Sequence, residues 1–447
     1  MLRFFLIALS FTFLEGQEIF RSQNISEYLN KENPFVSTLF NKEYIAKERI
    51  QYYQGAFDTK ISAKYDFKEY PATSGEYYDI FTKKKFQNGM EFLAGYRNAK
   101  GTQEYNNIKT GKEGEILLGV TLPVIDLFKG TNSHKTKLDI AKVESFKQKY
   151  NSKNNLRLFY LEVFNSYHKL LYNRIVLKLE QKLLKKAEDR QEFIQQKVKA
   201  GILPEFSLVE AEQQIINREQ RLFLATISYE NSFTDFVKYL NMSKDRFKKR
   251  YVLKDSLEIP VEKFNFDEVL EKAKANRPDI KMLEFDKQKL YIEKKNIDLL
   301  KYPNINLSLY GVHDFKYGNG FKISFNIEFP IERGQYESKI GEYQQNLQNR
   351  EELQQKKLIE IRRYLKNIIN SLDILKENIA NAKQEIKLVK KLENGETRKY
   401  LVGSSNLFIL NQREIQTLDV EKKVLQYKLN YLLLKEQLNA QMGNSKI

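Results

Sequence analysis

The 447-residue chain has no cysteine, eight prolines and three histidines. Without cysteine there is no disulfide framework, no thiolate metal site, no cysteine nucleophile and no lipid attachment through an N-terminal thiol. His134, His168 and His313 lie far apart, and none sits at metal-ligand spacing from another. No Gly-rich phosphate loop, nucleophile elbow or HExxH helix occurs. Asp/Glu pairs are plentiful, but they fall on the polar faces of helical stretches. No enzymatic activity, metal or cofactor is therefore expected. Past the N-terminus no apolar run reaches the length of a membrane-spanning helix.

What is present is polar and periodic. Hydrophobic residues make up 41% of the chain and charged residues 30%, a balance that suits long amphipathic helices packed on each other. Residues 1–16 read as a signal peptide. Arg3 supplies the positive end, Phe4 to Leu14 a short apolar core and Gly16 a small residue at the cleavage point. Polar Gln17, Glu18 and Asn24 follow at once, which disfavours a buried N-terminal helix. The net charge of +17 comes from lysines interspersed with Glu and Gln. No compact basic block carries stacking aromatics, so the charge reads as a solvated helix surface and not as a nucleic-acid footprint.

The chain is written twice. Gly201 and Gly403 are 202 residues apart, as are Phe206 and Phe408, Leu208 and Leu410, Glu212 and Glu414, and Tyr229 and Tyr431. Upstream, Leu156, Val163, Leu170, Leu177 and Leu184 recur every seven residues. Their counterparts at the same offset are Leu358, Leu365, Leu372, Ile379 and Ile386. A second row, Ile361, Ile368, Leu375, Ala382 and Val389, runs three residues behind it. That is the 3-4 alternation of helices packed side by side in a coiled coil.

Four segments alternate with period two and read as strands: 59–68, 114–123, 304–312 and 320–329. Their apolar positions are Ile61, Ala63, Tyr65 and Phe67; Ile116, Leu118, Val120 and Leu122; Ile305, Leu307 and Leu309; and Phe321, Ile323, Phe325, Ile327 and Phe329. Their length and two-faced pattern suit strands of a membrane barrel as well as those of a half-buried sheet. The span 69–113 is the excess of the first copy. It reads as an elongated loop or an added hairpin with Phe92, Ala94 and Tyr96 on one face. Tyr70, Phe81, Tyr302 and Phe315 fall near strand ends, where interfacial aromatics belong.

Helices are predicted over 35–57, 131–200, 207–241, 279–301, 335–400 and 407–442. The second would span roughly 100 Å if straight. Arg277-Pro278-Asp279 makes a helix start, Pro303-Asn304 a stop, and 242–275 an irregular connector with a short helix. The predicted division is a first repeat over 17–241 with a helical hairpin at 131–241. The connector follows, and then a second repeat over 276–447 with a hairpin at 335–442.

Helix, two strands, long helix, glycine tip and return helix, repeated, resembles the TolC-like outer-membrane efflux family. The resemblance runs through nearly the whole chain after residue 16. It rests on Arg277-Pro278-Asp279, Tyr302-Pro303-Asn304-Ile305, Phe329-Pro330 and Val402-Gly403 followed by Gln412-Arg413-Glu414. It implies an α+β fold: a coiled-coil helical barrel plus a transmembrane β-barrel completed by trimerisation, with four strands from each protomer. It further implies the outer membrane of a Gram-negative bacterium with a large periplasmic portion. The partners would be a periplasmic adaptor (membrane fusion) protein and an inner-membrane pump of RND or ABC type, in efflux or type I secretion. The adaptor-docking tips would be Ala200, Gly201, Leu203 and Pro204, and Val402, Gly403, Ser404, Ser405 and Asn406. At the tunnel entrance, relatives carry acidic side chains just after the second tip. Here Ile409 and Gln412 stand there, and Glu205 and Glu210 are the first copy's candidates. The rival reading is a secreted periplasmic coiled-coil scaffold, which leaves the four alternating strands without a purpose.

Overall fold

The computed structural model describes residues 17–71, 73–101, 110–260 and 262–443. The predicted signal peptide and the Tyr70 side chain lie outside the described residues. In chain order come β1 (Glu18–Phe20), α1 (Ile25–Tyr28), α2 (Pro34–Gln54), β2 (Thr59–Tyr70), β3 (Thr73–Lys85), β4 (Glu91–Gly101) and β5 (Glu115–Pro123). Then follow α3 (Val124–Lys129), α4 (Ser133–Lys199), α5 (Phe206–Tyr239), α6 (Lys244–Arg250), β6 (Tyr251–Leu253) and α7 (Phe266–Asn276). The remainder is α8 (Pro278–Ile297), β7 (Asn304–Asp314), β8 (Gly318–Glu328), α9 (Gly334–Leu401) and α10 (Leu407–Gln441). Each of the six predicted helices and four predicted strands has a counterpart within a few residues of its expected bounds.

The chain packs as two units. Of the described residues, the first takes those up to Leu39, Asn154–Arg277 and those from Ile359 on. It is built on helix seams. On α9, Ile361, Leu365, Ile368, Leu372, Ile379, Ala382 and Val389 are all buried, which is the alternation read from the sequence. On α4 the single row of seven drifts. Val163 and Leu170 are buried, but Leu177 and Leu184 are only half-buried, and Leu183, Ala187 and Ile194 take over. An α-helix turns once per 3.6 residues, so a strict period of seven walks off the seam unless the helix supercoils.

At the other end of this unit the connector is more ordered than expected. It holds α6, α7 and the strand β6, which pairs in parallel with β1. Phe20 of β1 is fully buried, with its ring 4.9 Å from Tyr251, 5.1 Å from Phe247 and 5.4 Å from Tyr167. The Tyr167 hydroxyl donates to the Phe20 carbonyl at 2.7 Å. Next to it, burial pushes the His168 imidazole down to about 4, so it is neutral in ordinary conditions. Its Nδ1 bonds to the Phe164 carbonyl, one helical turn back, at 2.9 Å.

The second unit takes Phe40–Lys153 and Pro278–Leu358. Here α4 and α8 are tied by Lys147 to Asp286 at 2.6 Å and by Lys289 to Glu144 at 2.7 Å. Its sheet runs β2-β3-β4-β5-β7-β8, every neighbour antiparallel. Among the described residues it therefore has six strands from one chain where four were expected. The excess segment 69–113 supplies β3 and β4, an added hairpin set between the two strands of the first copy.

The register places Ile61, Thr82, Ala94, Leu118, Gly311 and Phe321 in one row on one face. The apolar positions read from all four alternating segments share that face. Most are exposed, Ile61 by 76%, Leu118 by 55% and Phe321 by 82%, while Val120, Leu122, Ile305 and Leu307 are half-buried. The opposite face is polar and hollowed. Two glycines allow this. A Cβ on Gly95 would fall 2.3 Å from the Phe81 ring, and one on Gly119 would fall 2.0 Å from the Tyr310 ring, so both rings lie down on the sheet. Phe81 is thus mid-strand and buried on the polar face, not at a strand end as expected. Tyr302 and Phe315 flank β7 and are exposed.

Candidate functional site: the hairpin tips and the charge lock behind them

Both glycine tips belong to the helical unit. After α4 the chain turns through Gly201 with φ of 68°, and Ile202 N–H donates to the Lys197 carbonyl at 2.9 Å. After α9 it turns through Gly403 with φ of 77°, and Ser404 N–H donates to the Lys399 carbonyl at 2.9 Å. Both are helix ends of the Schellman type, in which a left-handed residue lets the following amides satisfy the last carbonyls. Asn406 then caps α10, its Oδ1 accepting from Ile409 N–H at 2.9 Å. Ser405 donates to Glu396 and braces the same turn.

A Cβ at Gly201 or Gly403 would meet nothing within 4 Å. Only the backbone conformation requires glycine there. Gly403→Ala is expected to cost about 1–2 kcal/mol, and Gly403→Asn less, since asparagine tolerates the left-handed region. Urea unfolding curves of the three proteins check the order; equal midpoints for alanine and asparagine would contradict it.

The two tips meet. Leu203 packs with Val198 and Tyr400 against a buried cluster of Ile194, Ala211 and Leu407. Ala200, Gly201, Pro204, Val402, Gly403, Ser404 and Asn406 remain exposed, and Ser405 is half-buried. Between them stand exposed apolar side chains: Ile202, Phe206, Leu401, Val402 and Phe408. Of the entrance candidates, Glu205 is exposed at the start of α5 and Glu210 is half-buried one turn on. Ile409 and Gln412 share an open groove of about 650 Å³ along α10 with Phe408, Arg413 and Asp419. Neither Glu205 nor Glu210 lines that groove.

Sequence reasoning missed the chemistry just behind the tips. Glu414 of α10 is 3% exposed and accepts from Arg218 of α5 at 2.6 Å and from Arg190 of α4. Arg218 is itself 3% exposed and also donates to the Leu183 carbonyl at 2.7 Å and to Asn411 Oδ1. Burial works to raise the Glu414 pKa; Arg190 and then Arg218 outweigh it and hold the carboxyl below the usual carboxylate range. Two more cross-helix pairs continue along the bundle, Lys186 to the buried Glu393 at 2.6 Å and Lys422 to the buried Glu180. The duplication hides this lock. Glu212 and Glu414 are equivalent by position, yet Glu212 is exposed and Glu414 buried.

Among the described residues, no group of three or more His, Cys, Asp and Glu side chains could hold a metal ion. No helix among them is long and apolar enough to cross a membrane.

No protein-family model matches the sequence, and no curated protein matches it. Solved structures do match in fold. The outer-membrane channel OprN superposes with a TM-score of 0.72 at 10% identity, over 95% of this chain and 90% of that one. The CmeC outer-membrane channel of Campylobacter jejuni gives 0.68 at 13% identity, over 98% and 90%. The outer-membrane protein VceC of Vibrio cholerae gives 0.68 at 13% identity, over 95% and 97%. The fold of this chain is the α+β fold of these outer-membrane channels.

Proposed function

We propose that this chain, sharing the fold of outer-membrane channels, is itself such a channel and catalyses nothing. It would act in efflux or type I secretion, at the outer membrane of a Gram-negative bacterium. The observation that carries this is the sheet. One face is mostly apolar and largely exposed, the other mostly polar, and among the described residues the outer edges of β2 and β8 are unpaired within the chain. Lipid tolerates no open sheet edge, so a spanning sheet of this kind must close. Three copies close it most simply, and three sheets of six strands make a barrel of eighteen, a size that leaves an aqueous lumen.

The helical unit also offers a face for a neighbouring copy. Val209, Ile216 and Phe223 of α5, seven residues apart, are each more than half exposed. A heptad row left this exposed by the described residues of its own chain fits a seam with a neighbouring copy. The tip segments Ala200–Pro204 and Val402–Asn406 would dock a periplasmic adaptor through the exposed apolar side chains between them. An inner-membrane pump of RND or ABC type would deliver the cargo. Glu205, Glu210, Ile409 and Gln412 would line the entrance. The predicted division into two repeats, 17–241 and 276–447, would then be the duplication that gives each protomer two hairpins.

The test is fractionation followed by reconstitution. The expected result is a detergent-extracted trimer from the outer membrane that gives discrete single-channel steps in a planar bilayer. Recovery as a soluble periplasmic protein would favour the scaffold reading instead.

A further inference from the structure

We propose that the polar face of the sheet forms an anion-selective lumen, set by Lys60, Lys83 and Lys322; this rests on the channel reading above. The register puts Lys60 opposite Lys83, then Leu93, Gly119, Tyr310 and Lys322 in a single row across all six strands. That row contains three cations and no carboxylate. Lys83 and Lys322 also line a hollow of about 420 Å³ together with Lys64, Arg97, Tyr310 and Asp79.

Two nearby carboxylates, Asp66 and Glu115, are ion-paired with Lys64 and Arg97, which leaves Lys83 and Lys322 in that hollow against the single charge of Asp79. Asp79 accepts from the Tyr77 hydroxyl at 2.6 Å, Glu115 from Arg97, and Asp66 from Lys64. Asp314 accepts from the backbone amides of Gly111 at 2.7 Å, Lys316 at 2.8 Å and Tyr317 at 2.9 Å. Glu91 and Glu328 also face this side, nearer the strand ends next to the helices, with Lys85 opposite Glu91. Among the described residues, Lys60, Lys83 and Lys322 have no carboxylate within ion-pair distance.

The asymmetry has a physical consequence. Paired charges on a pore wall cancel within a few ångströms, while unpaired ones set the potential a permeating ion meets. Rings of lysine favour anions in the way that rings of carboxylate favour cations. Gly95 and Gly119 deepen the effect, since the aromatic rings lying on them leave the lysine ammonium groups as the protruding cationic features. In a closed trimer the row would be repeated three times around one lumen. The cargo class it fits carries carboxylate or phosphate groups.

The experiment measures reversal potentials of the reconstituted trimer in a potassium chloride gradient. The wild type is expected to favour chloride. K60Q/K83Q/K322Q should lower the anion-to-cation permeability ratio severalfold, and K60E/K83E/K322E should invert it. All three side chains lie on a solvated face, so the fold should survive; far-UV circular dichroism and trimer mobility verify this. A conducting wild type that favours potassium, or a ratio unmoved by either triple variant, overturns the proposal and leaves the channel standing. A folded trimer that never conducts overturns the channel reading. Calorimetric titration of that detergent-solubilised trimer with tripolyphosphate at low salt then judges the basic row: binding lost in K60Q/K83Q/K322Q supports it, and no binding by the wild type overturns it.

Discussion

Replacing Glu414 with alanine is expected to destabilise the helical unit by about 3–5 kcal/mol. The carboxylate is almost wholly buried and joins three helices, α4, α5 and α10, through Arg190 and Arg218. Removing it leaves two guanidinium groups facing each other without a counter-charge, and Arg218 has little water to turn to. Glu414→Gln should cost less, because it still accepts one hydrogen bond. Replacing all three, with Glu414→Leu, Arg190→Leu and Arg218→Met, should recover most of the loss, since a packed apolar trio avoids the desolvation of three ions. Urea unfolding followed by far-UV circular dichroism gives the values. A loss below about 1 kcal/mol for Glu414→Ala would mean that water reaches the site and the pairs behave as surface ion pairs.

The same residue gives a pH dependence of definite sign. Burial favours the neutral acid, but Arg190 and Arg218 prevail, so the folded chain holds the Glu414 carboxyl below its ordinary value. The unfolded chain then binds its proton more readily. The stabilisation is complete above the ordinary glutamate value of about 4.3 and is lost as pH falls through the lower folded value. Stability of the wild type should therefore decline on acidification below that point. Glu414→Gln, which has nothing to titrate, should show a flatter slope over the same window. An unchanged slope would place the acid-sensitive groups elsewhere.

The second large effect concerns assembly. Ile216→Glu with Phe223→Glu is expected to abolish the trimer and leave a folded monomer. Fully burying either side chain is worth about 1.5–3 kcal/mol. Two such contacts at each of three interfaces amount to something on the order of 10 kcal/mol before the cost of burying the new carboxylates. Both residues are exposed in the single chain, so their replacement removes no contact from the protomer's own core. Sedimentation velocity in detergent distinguishes the species. A persistent trimer would show that α5 turns this row to solvent in the assembly, and that the seam between copies lies on another helix.

The elements were legible in the sequence wherever one period dominates. The 3-4 rows of α9 and the alternation of β2, β5, β7 and β8 each follow from a single amphipathic face, and a single face can be read without neighbours. Proline and glycine marked the ends, at Pro278, Pro303, Gly201 and Gly403. The hairpin of β3 and β4 was harder. On β3 the apolar face carries Glu76 and Thr82 while the polar face carries the buried Tyr77 and Phe81, so the alternation is blurred. Those aromatics are tolerated on the wrong face because the sheet is hollow there, and the hollow depends on glycines of other strands.

The sequence by itself determined the helices, most of the strands, the tips and the duplication, because those rest on neighbours a few residues apart along one chain. The tertiary structure decided the count of six strands, the row joining Lys60 to Lys322, and the burial of Glu414 between Arg190 and Arg218. Each of these depends on residues many positions apart being brought within hydrogen-bond or register distance. Charge gives no local sign of its own burial: Glu212 and Glu414 look alike in the two repeats, and only packing makes one a solvated side chain and the other a lock.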